Sequence, residues 1–390
     1  MSQAKRLARL ATTTTCVLTG SLLTAAMGCD RQPPAESVDP VQLELVARFD
    51  TDATPAAAPW GSIIDVELRA DGSVFVVDGL SRTLSAFDSS GVPLAHFGGR
   101  GRGPGELEGP AGLTWDPDGH LWVVDLGTGR LSAFGPNGEL VTTVQATGAT
   151  PFTPLAIRFT TPSSLRVVAL DFSGGSPEQP MAVLVDLAVA ENTVEPVGLA
   201  PMPFVRWPDL FDFRTDDIAL LMVVPFSPEP LFGIDPSGHL WYGDGASGRV
   251  DRWVVADSFD VASVQDASPL PVTSTDIQAT LEGNPDIEEL EVTGGASAVA
   301  ELMERIPENH PRIEGFFFGD DESIWVMRSA AEAEGDERAI DVFDGSGQLM
   351  GIARAPLAAT PRPRMRDGWL VGVMRDELGV ESVALFRVQM

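Results

Sequence analysis

Short apolar strands that end in Asp, separated by Gly-rich polar turns, recur along the chain. Asp71-Gly-Ser-Val-Phe75-Val-Val-Asp78 is followed by Leu84-Ser-Ala-Phe87 and Gly91. The pattern returns 47 residues later as Asp118-Gly-His-Leu-Trp122-Val-Val-Asp125, Leu131-Ser-Ala-Phe134 and Gly138. His239-Leu-Trp241-Tyr-Gly-Asp244 lies 119 residues beyond His120-Leu-Trp122, with Arg249 and Trp253 after it. Apolar runs this short, bounded by turn residues, read as strands. A period of this size built from them marks a β-propeller blade.

Six blades are predicted. The first runs from Gly61 to Phe97 and the second from Pro110 to Val144. The third is degenerate, with strands at Leu155–Thr161, Leu165–Asp171, Met181–Leu187 and Val194–Leu199. The fourth uses Leu231–Pro236, His239–Asp244, Val250–Val255 and Asp260–Gln265; the fifth uses Ile313–Gly319, Ser323–Ser329, Ala339–Asp344 and Leu349–Arg354. The sixth has only Arg364–Arg366, Trp369–Arg375 and Ser382–Val388, while Val41–Phe49 has no partner near it in sequence. That N-terminal strand is expected to complete the last blade, which removes two free sheet edges.

Segment 257–312 breaks the pattern. Ser274-Thr275-Asp276 is an N-cap signal ahead of Ile277–Leu281, and Val299, Leu302, Met303 and Ile306 recur at helical spacing within Ala296–Ile306 before Pro307 and Pro311. A helical excursion follows, read either as a lid over the central channel or as a packing ornament. The fold class is therefore all-β: a six-bladed β-propeller over 41–390, closed by the N-terminal strand, with a partly helical insertion at 257–312.

Composition adds a compartment. Lys5, Arg6 and Arg9 precede a moderately apolar stretch from Leu10 to Met27, and Ala26-Met-Gly28-Cys29 ends it. Residues 1–28 thus read as a signal peptide, and Cys29 as a lipidation site, since small residues before Cys resemble a bacterial lipobox. Residues 29–40, with Pro33, Pro34 and Pro40, read as a tether. Cys16 is the other cysteine and leaves with the leader, so no disulfide is expected. The net charge of −30 becomes −33 without the three basic leader residues. Such a chain repels phosphate backbones and anionic headgroups. The expectation is a cell-envelope protein held to the membrane by acyl chains alone, with no nucleic-acid partner. Lys5 is the only lysine, so every cation beyond the leader other than histidine is Arg, suited to planar recognition rather than amine chemistry.

The loop Gly99-Arg-Gly-Arg-Gly103-Pro104-Gly105-Glu106-Leu-Glu-Gly-Pro110-Ala-Gly112-Leu, followed by Asp125, Arg130 and Phe134, resembles the NHL repeat. The closing run from Trp369 through Asp376 and Gly379 resembles the last blade of bacterial six-bladed NHL-like lipoproteins. The resemblance implies a propeller fold and leaves the activity open, because propellers host many functions.

Repeat-equivalent residues are expected to build the frame. Phe75, Trp122, Trp241 and Trp325 hold one blade position and should pack between blades. Asp78, Asp125 and Asp244 should cap turn amides, with Arg82, Arg130 and Arg249 pairing to them. His120 and His239 are repeat-equivalent too. Ligand-binding candidates are the non-repeating Arg100, Arg102, Arg206, Trp207, His310 and Arg312, whose guanidiniums could grip carboxylates and whose Trp could stack on a ring.

No catalytic group is assigned, and no cofactor or metal is expected. Lactonases on related scaffolds place Glu, Asn and Asp around calcium. The four Asn here, at 137, 192, 284 and 309, fall on none of the expected innermost strands. The peptide-amidating lyase uses several His with a Tyr, whereas the sole Tyr here is Tyr242, in a core strand. The resulting expectation is recognition of a ligand or protein partner in the envelope; a hydrolase or lyase on the channel face, or a purely structural envelope component, is the alternative.

Overall fold

A computed structural model describes residues 40–49, 60–146, 153–171, 181–190, 193–202, 205, 207–215, 218–253, 259–263, 269–282, 284–376 and 378–389. The expected leader, the lipidation site Cys29 and the candidate Arg206 lie outside the described residues.

Strand pairs repeat as four-strand antiparallel units. Four are separate sheets, and two are halves of one eight-stranded sheet. The first sheet holds Ile63–Leu68, Val74–Asp78, Thr83–Phe87 and Pro93–Gly98. The eight-stranded sheet joins Pro110–Trp115, Leu121–Asp125, Arg130–Phe134 and Leu140–Ala146 to Thr153–Thr161, Ser164–Asp171, Met181–Val189 and Thr193–Pro201. Its halves meet only where Gln145 and Ala146 run parallel to Thr193 and Val194. Further sheets comprise Pro230–Ile234 through Phe259–Ser263, and Ile313–Phe318 through Leu349–Ala355. The last sheet orders Arg364–Arg366, Trp369–Arg375, Glu381–Gln389 and then Gln42–Phe49. There Phe49 lies opposite Val383 and Gln42 opposite Gln389, so the first strand joins the end of the chain.

The first strand of each unit touches that of the next, and Arg364–Arg366 returns to Ile63–Leu68. The arrangement is propeller-like. Its core is divided into wedges between neighbouring units, which is why strands such as Val74–Asp78 are buried on both faces. Phe75 meets Trp115 edge-on at 5.0 Å, Trp122 meets Phe159 at 5.4 Å and Trp241 meets Phe318 at 5.7 Å, each across such a boundary. Trp325 instead stacks on Phe317 of its own sheet, in the wedge against Leu370 and Phe386.

The strand-ending aspartates cap turns as expected. Asp125 accepts from the amides of Glu108, Gly109 and Gly127 and from the Thr128 hydroxyl. Asp78 accepts from Gly61, Ser62 and Leu80. The expected arginine pairing differs: Arg130 donates to the carbonyls of Arg102 and Glu106, and Arg249 pairs with Asp251. Asp125 has its oxygens filled by local donors, so the guanidinium turns to unpaired carbonyls.

Residues 207–223 contain a hairpin, Leu210–Arg214 with Ala219–Val223, where the sequence pattern suggests irregular chain. It packs on the helical excursion through Phe211, Met222, Ile287, Leu290 and Leu302. The excursion has two helices, α1 (Ser274–Leu281) and α2 (Pro285–Glu304). Gly295, at φ 68°, kinks α2, a conformation that costs glycine least. Among the described residues no helix is long and apolar enough to cross a membrane.

The cap of α1 is Thr273, one residue before the expected Ser274. Asp276 closes a capping box with it, and the His310 Nε2 lies 3.2 Å from Asp276 Oδ2. Hydrogen bonds from Thr273, then His310, hold the Asp276 carboxyl down at about 2. A lowered carboxyl stabilises the fold above its ordinary value of 3.8, and that gain is lost as pH falls through about 2. Asp276→Asn is expected to cost about 0.5–1 kcal/mol in urea unfolding near neutral pH. The gap to wild type should narrow between pH 4 and pH 2; a gap independent of pH would refute this cap.

Candidate functional site

The first strands of the four separate four-stranded sheets and both edge strands of the eight-stranded sheet line a central channel with two cavities. Strand starts line one, of about 300 Å³, through residues such as Ile64, Ala111, Leu155, Pro230 and Glu314. Strand ends line the other, of about 310 Å³, through Leu68, Trp115, Thr160, Ile234 and Phe318. Ala156, Ile157, Arg362 and Arg364 line both, so the cavities lie end to end.

A repeated backbone device shapes the first cavity. Pairing skips one residue at Ile64, Ala111, Leu155 and Glu314, in the same place on four first strands. A bulge re-aims its extra residue, and all four line this cavity. Glu314 is the only charged one. It accepts from Ser329 Oγ and the Ala330 amide and pairs with Arg338 at 2.8 Å. Glu229 lines the same cavity, where crowding by protein and then the Glu314 charge push its carboxyl up.

Charged side chains gather where the cavities meet. Asp65 and Glu67 are two apart on Ile63–Leu68 and so share its channel face. Arg364 spans both: its Nη2 lies 3.1 and 3.0 Å from the Asp65 oxygens, and its Nε 3.2 Å from Glu67 Oε1. The Leu113 amide also donates to Asp65 Oδ2, at 2.9 Å, tying the cluster to the next unit. Burial raises Glu67, and the Asp65 charge adds to this, together outweighing Arg364. Burial alone would lower Arg364, but Asp65 and Glu67 hold it above its usual value. Arg362 donates to the Leu155 carbonyl at 3.2 Å; burial, then Arg364, lower it to about 10. Arg158 is lowered chiefly by burial. Both guanidiniums stay charged at neutral pH.

The candidates from sequence lie elsewhere. Arg100 is exposed and donates to the Leu80 carbonyl at 3.4 Å. Arg102 is exposed, bonded to Glu108 and to the Gly127 carbonyl. Arg312 pairs with Glu332 at 3.1 Å, and His310 is enclosed by Asp276 and the Phe226 ring at 4.8 Å. Trp207 lines a separate cavity beside the hairpin, with Asp209 and Arg305. None of these five lines the channel cavities, and the structure does not bring them together. No residue of α1 or α2 lines the channel cavities either.

The channel cluster sits on first strands, not on the loops where non-repeating polar residues stand out in the sequence. The available signal was acidic and basic residues inside otherwise apolar first strands, as in Ile63-Ile-Asp65-Val-Glu67-Leu68 and Arg364-Met-Arg366. Among the described residues no group of three His, Cys, Asp or Glu is placed to hold a metal ion.

No family model matches the chain. Its fold is similar to that of a member of the DUF4221 family from Bacteroides vulgatus, at 9% identity and TM-score 0.48, covering 90% of this chain and 99% of that one. It is similar to a gluconolactonase from Xanthomonas campestris, at 12% identity and TM-score 0.42, covering 90% and 97%. It is also similar to a virginiamycin B lyase from Staphylococcus aureus, at 10% identity and TM-score 0.39, covering 83% and 80%.

Proposed function

We propose that the chain is an exported, lipid-anchored six-bladed propeller of NHL-like type that binds a small ligand in its central channel, in the cell envelope. The eight-stranded sheet counts as two blades, because only two residue pairs join its halves while each half is a complete four-strand unit. The signal-like residues 1–28 and Cys29 support export and anchoring. The observation that carries the binding role is the largely half-buried charge cluster of Asp65, Glu67, Arg158, Arg362 and Arg364 where the two channel cavities meet. Charged side chains are costly in a channel wall unless they are paired or meet a ligand. Cavities of this size suit a small molecule.

One experiment tests anchor and channel together. Cys29→Ser should move the protein from the membrane to the soluble fraction; unchanged membrane retention would refute the anchor. The released protein is then screened by thermal shift against small carboxylates, amines and sugars. At least one class should raise the melting temperature by several degrees. Ile157 lines both cavities, so Ile157→Trp should abolish that shift. No shift with any class, or an equal shift in the Trp variant, would overturn channel binding.

A further inference from the structure

Three channel cations, Arg158, Arg362 and Arg366, have no carboxylate in contact among the described residues, and burial lowers the first two. Arg158 makes no hydrogen bond or ion pair with any described residue, although it lines the 310 Å³ cavity. Its cross-strand neighbour Arg166 is held by Asp186 at 2.7 and 3.0 Å. Arg362 has a single backbone carbonyl partner. The carboxylates around the cavity are already engaged. Glu67 pairs with Arg364, Asp116 accepts from His120 and Trp122, and Asp320 accepts from the Asp367 amide. Desolvated guanidiniums left without an anion are unfavourable, and a fork of N–H donors matches a carboxylate.

The surrounding charge limits the anion. Arg158, Arg362, Arg364 and Arg366 line this cavity with Glu67, Asp116 and Asp320, and Asp65 pairs with Arg364 from the adjoining cavity, so four cations stand among four carboxylates. The chain as a whole carries −30. A single negative charge set between Arg158 and Arg362 meets the least repulsion, whereas a multiply charged phosphate would meet these carboxylates at close range. Trp115, Ile157, Ile234 and Phe318 supply apolar wall, with Thr114 and Thr160 beside them.

We propose that Arg158 and Arg362 hold the head of a small organic monocarboxylate whose apolar body lies on Trp115, Ile157, Ile234 and Phe318. This rests on the reading of the channel as a ligand site and adds the class of ligand. The probes are 4-fluorobenzoate, followed by ¹⁹F NMR, and hexanoate, followed by calorimetry; 4-fluorobenzyl alcohol and inorganic phosphate are controls. Both carboxylates should bind. The alcohol should bind at least about tenfold more weakly, and phosphate should not compete. Arg158→Gln and Arg362→Gln should each weaken carboxylate binding by about tenfold or more. If Arg362→Gln fails to fold, Arg158→Gln alone decides, since Arg158 has no structural partner to lose. No carboxylate binding, equal affinity for the alcohol, displacement by phosphate, or indifference to Arg158→Gln would each overturn the proposal. If amines or sugars shift the melting temperature and Ile157→Trp abolishes that shift while the carboxylates stay silent, this inference fails and channel binding stands. If nothing binds, both fail.

Discussion

Deleting residues 42–49 is expected to lower the melting midpoint by more than about 10 °C, or to leave the chain unfolded at ambient temperature. The strand is short, but two losses coincide. Its removal exposes the edge of Glu381–Gln389 along seven matched positions. It also removes Phe49, fully buried among Val66, Phe87, Val371 and Val383, with its ring 5.2 Å from that of Phe87. These residues belong to the last sheet and the first, so Phe49 closes the seam between the two ends of the chain. Phe49→Ala keeps the strand and should by itself cost about 3–5 kcal/mol. Circular dichroism melts separate the two effects, and hydrogen exchange at 381–389 reports the new edge. A deletion variant that melts with the parent would show that the ring is not closed by this strand.

How far the sequence disclosed this molecule depends on the kind of interaction. Periodic features read well because each repeats a local need. Asp78 and Asp125 cap turns at the same place in successive units, and Phe75 and Trp122 take equivalent places in successive wedges. The hairpin at 210–223 was hidden because its apolar residues are matched not by a neighbouring unit but by α2, far along the chain. Arg130 does not pair with Asp125 because four local donors already satisfy that carboxylate, which spacing alone does not reveal. The channel cluster was the least legible part. Asp65 and Arg364 are 299 residues apart, and only closure of the ring brings them within 3.0 Å. The bulges that turn Ile64 and Glu314 toward the channel leave no mark in the residue types.

Breaking the Asp65–Arg364 pair is expected to be the largest effect of a single polar substitution. Asp65 and Arg364 side chains are 10% and 24% exposed, so solvent screens the pair weakly on one side and partly on the other. Asp65→Asn keeps an oxygen for the Leu113 amide but removes the charge that Arg364 grips with two short contacts. The stranded guanidinium stays among Arg158 and Arg362, with Glu67 as its one remaining acidic partner. A cost of about 3 kcal/mol follows, at the lower end for a buried pair because Arg364 keeps some water. Arg364→Gln should cost about as much, since it leaves Asp65 and Glu67 facing each other without a cation. The double variant removes both charges and should cost clearly less than the sum of the singles, with a coupling of about 1.5 kcal/mol or more in urea unfolding. The same pair sets the geometry of the channel, because Arg364 lines both cavities and sits two residues from Arg362. Asp65→Asn should therefore also weaken ligand binding without touching the proposed carboxylate head. Strictly additive single effects, or single costs below about 0.5 kcal/mol, would mean that the cluster neither supports the ring nor shapes the channel.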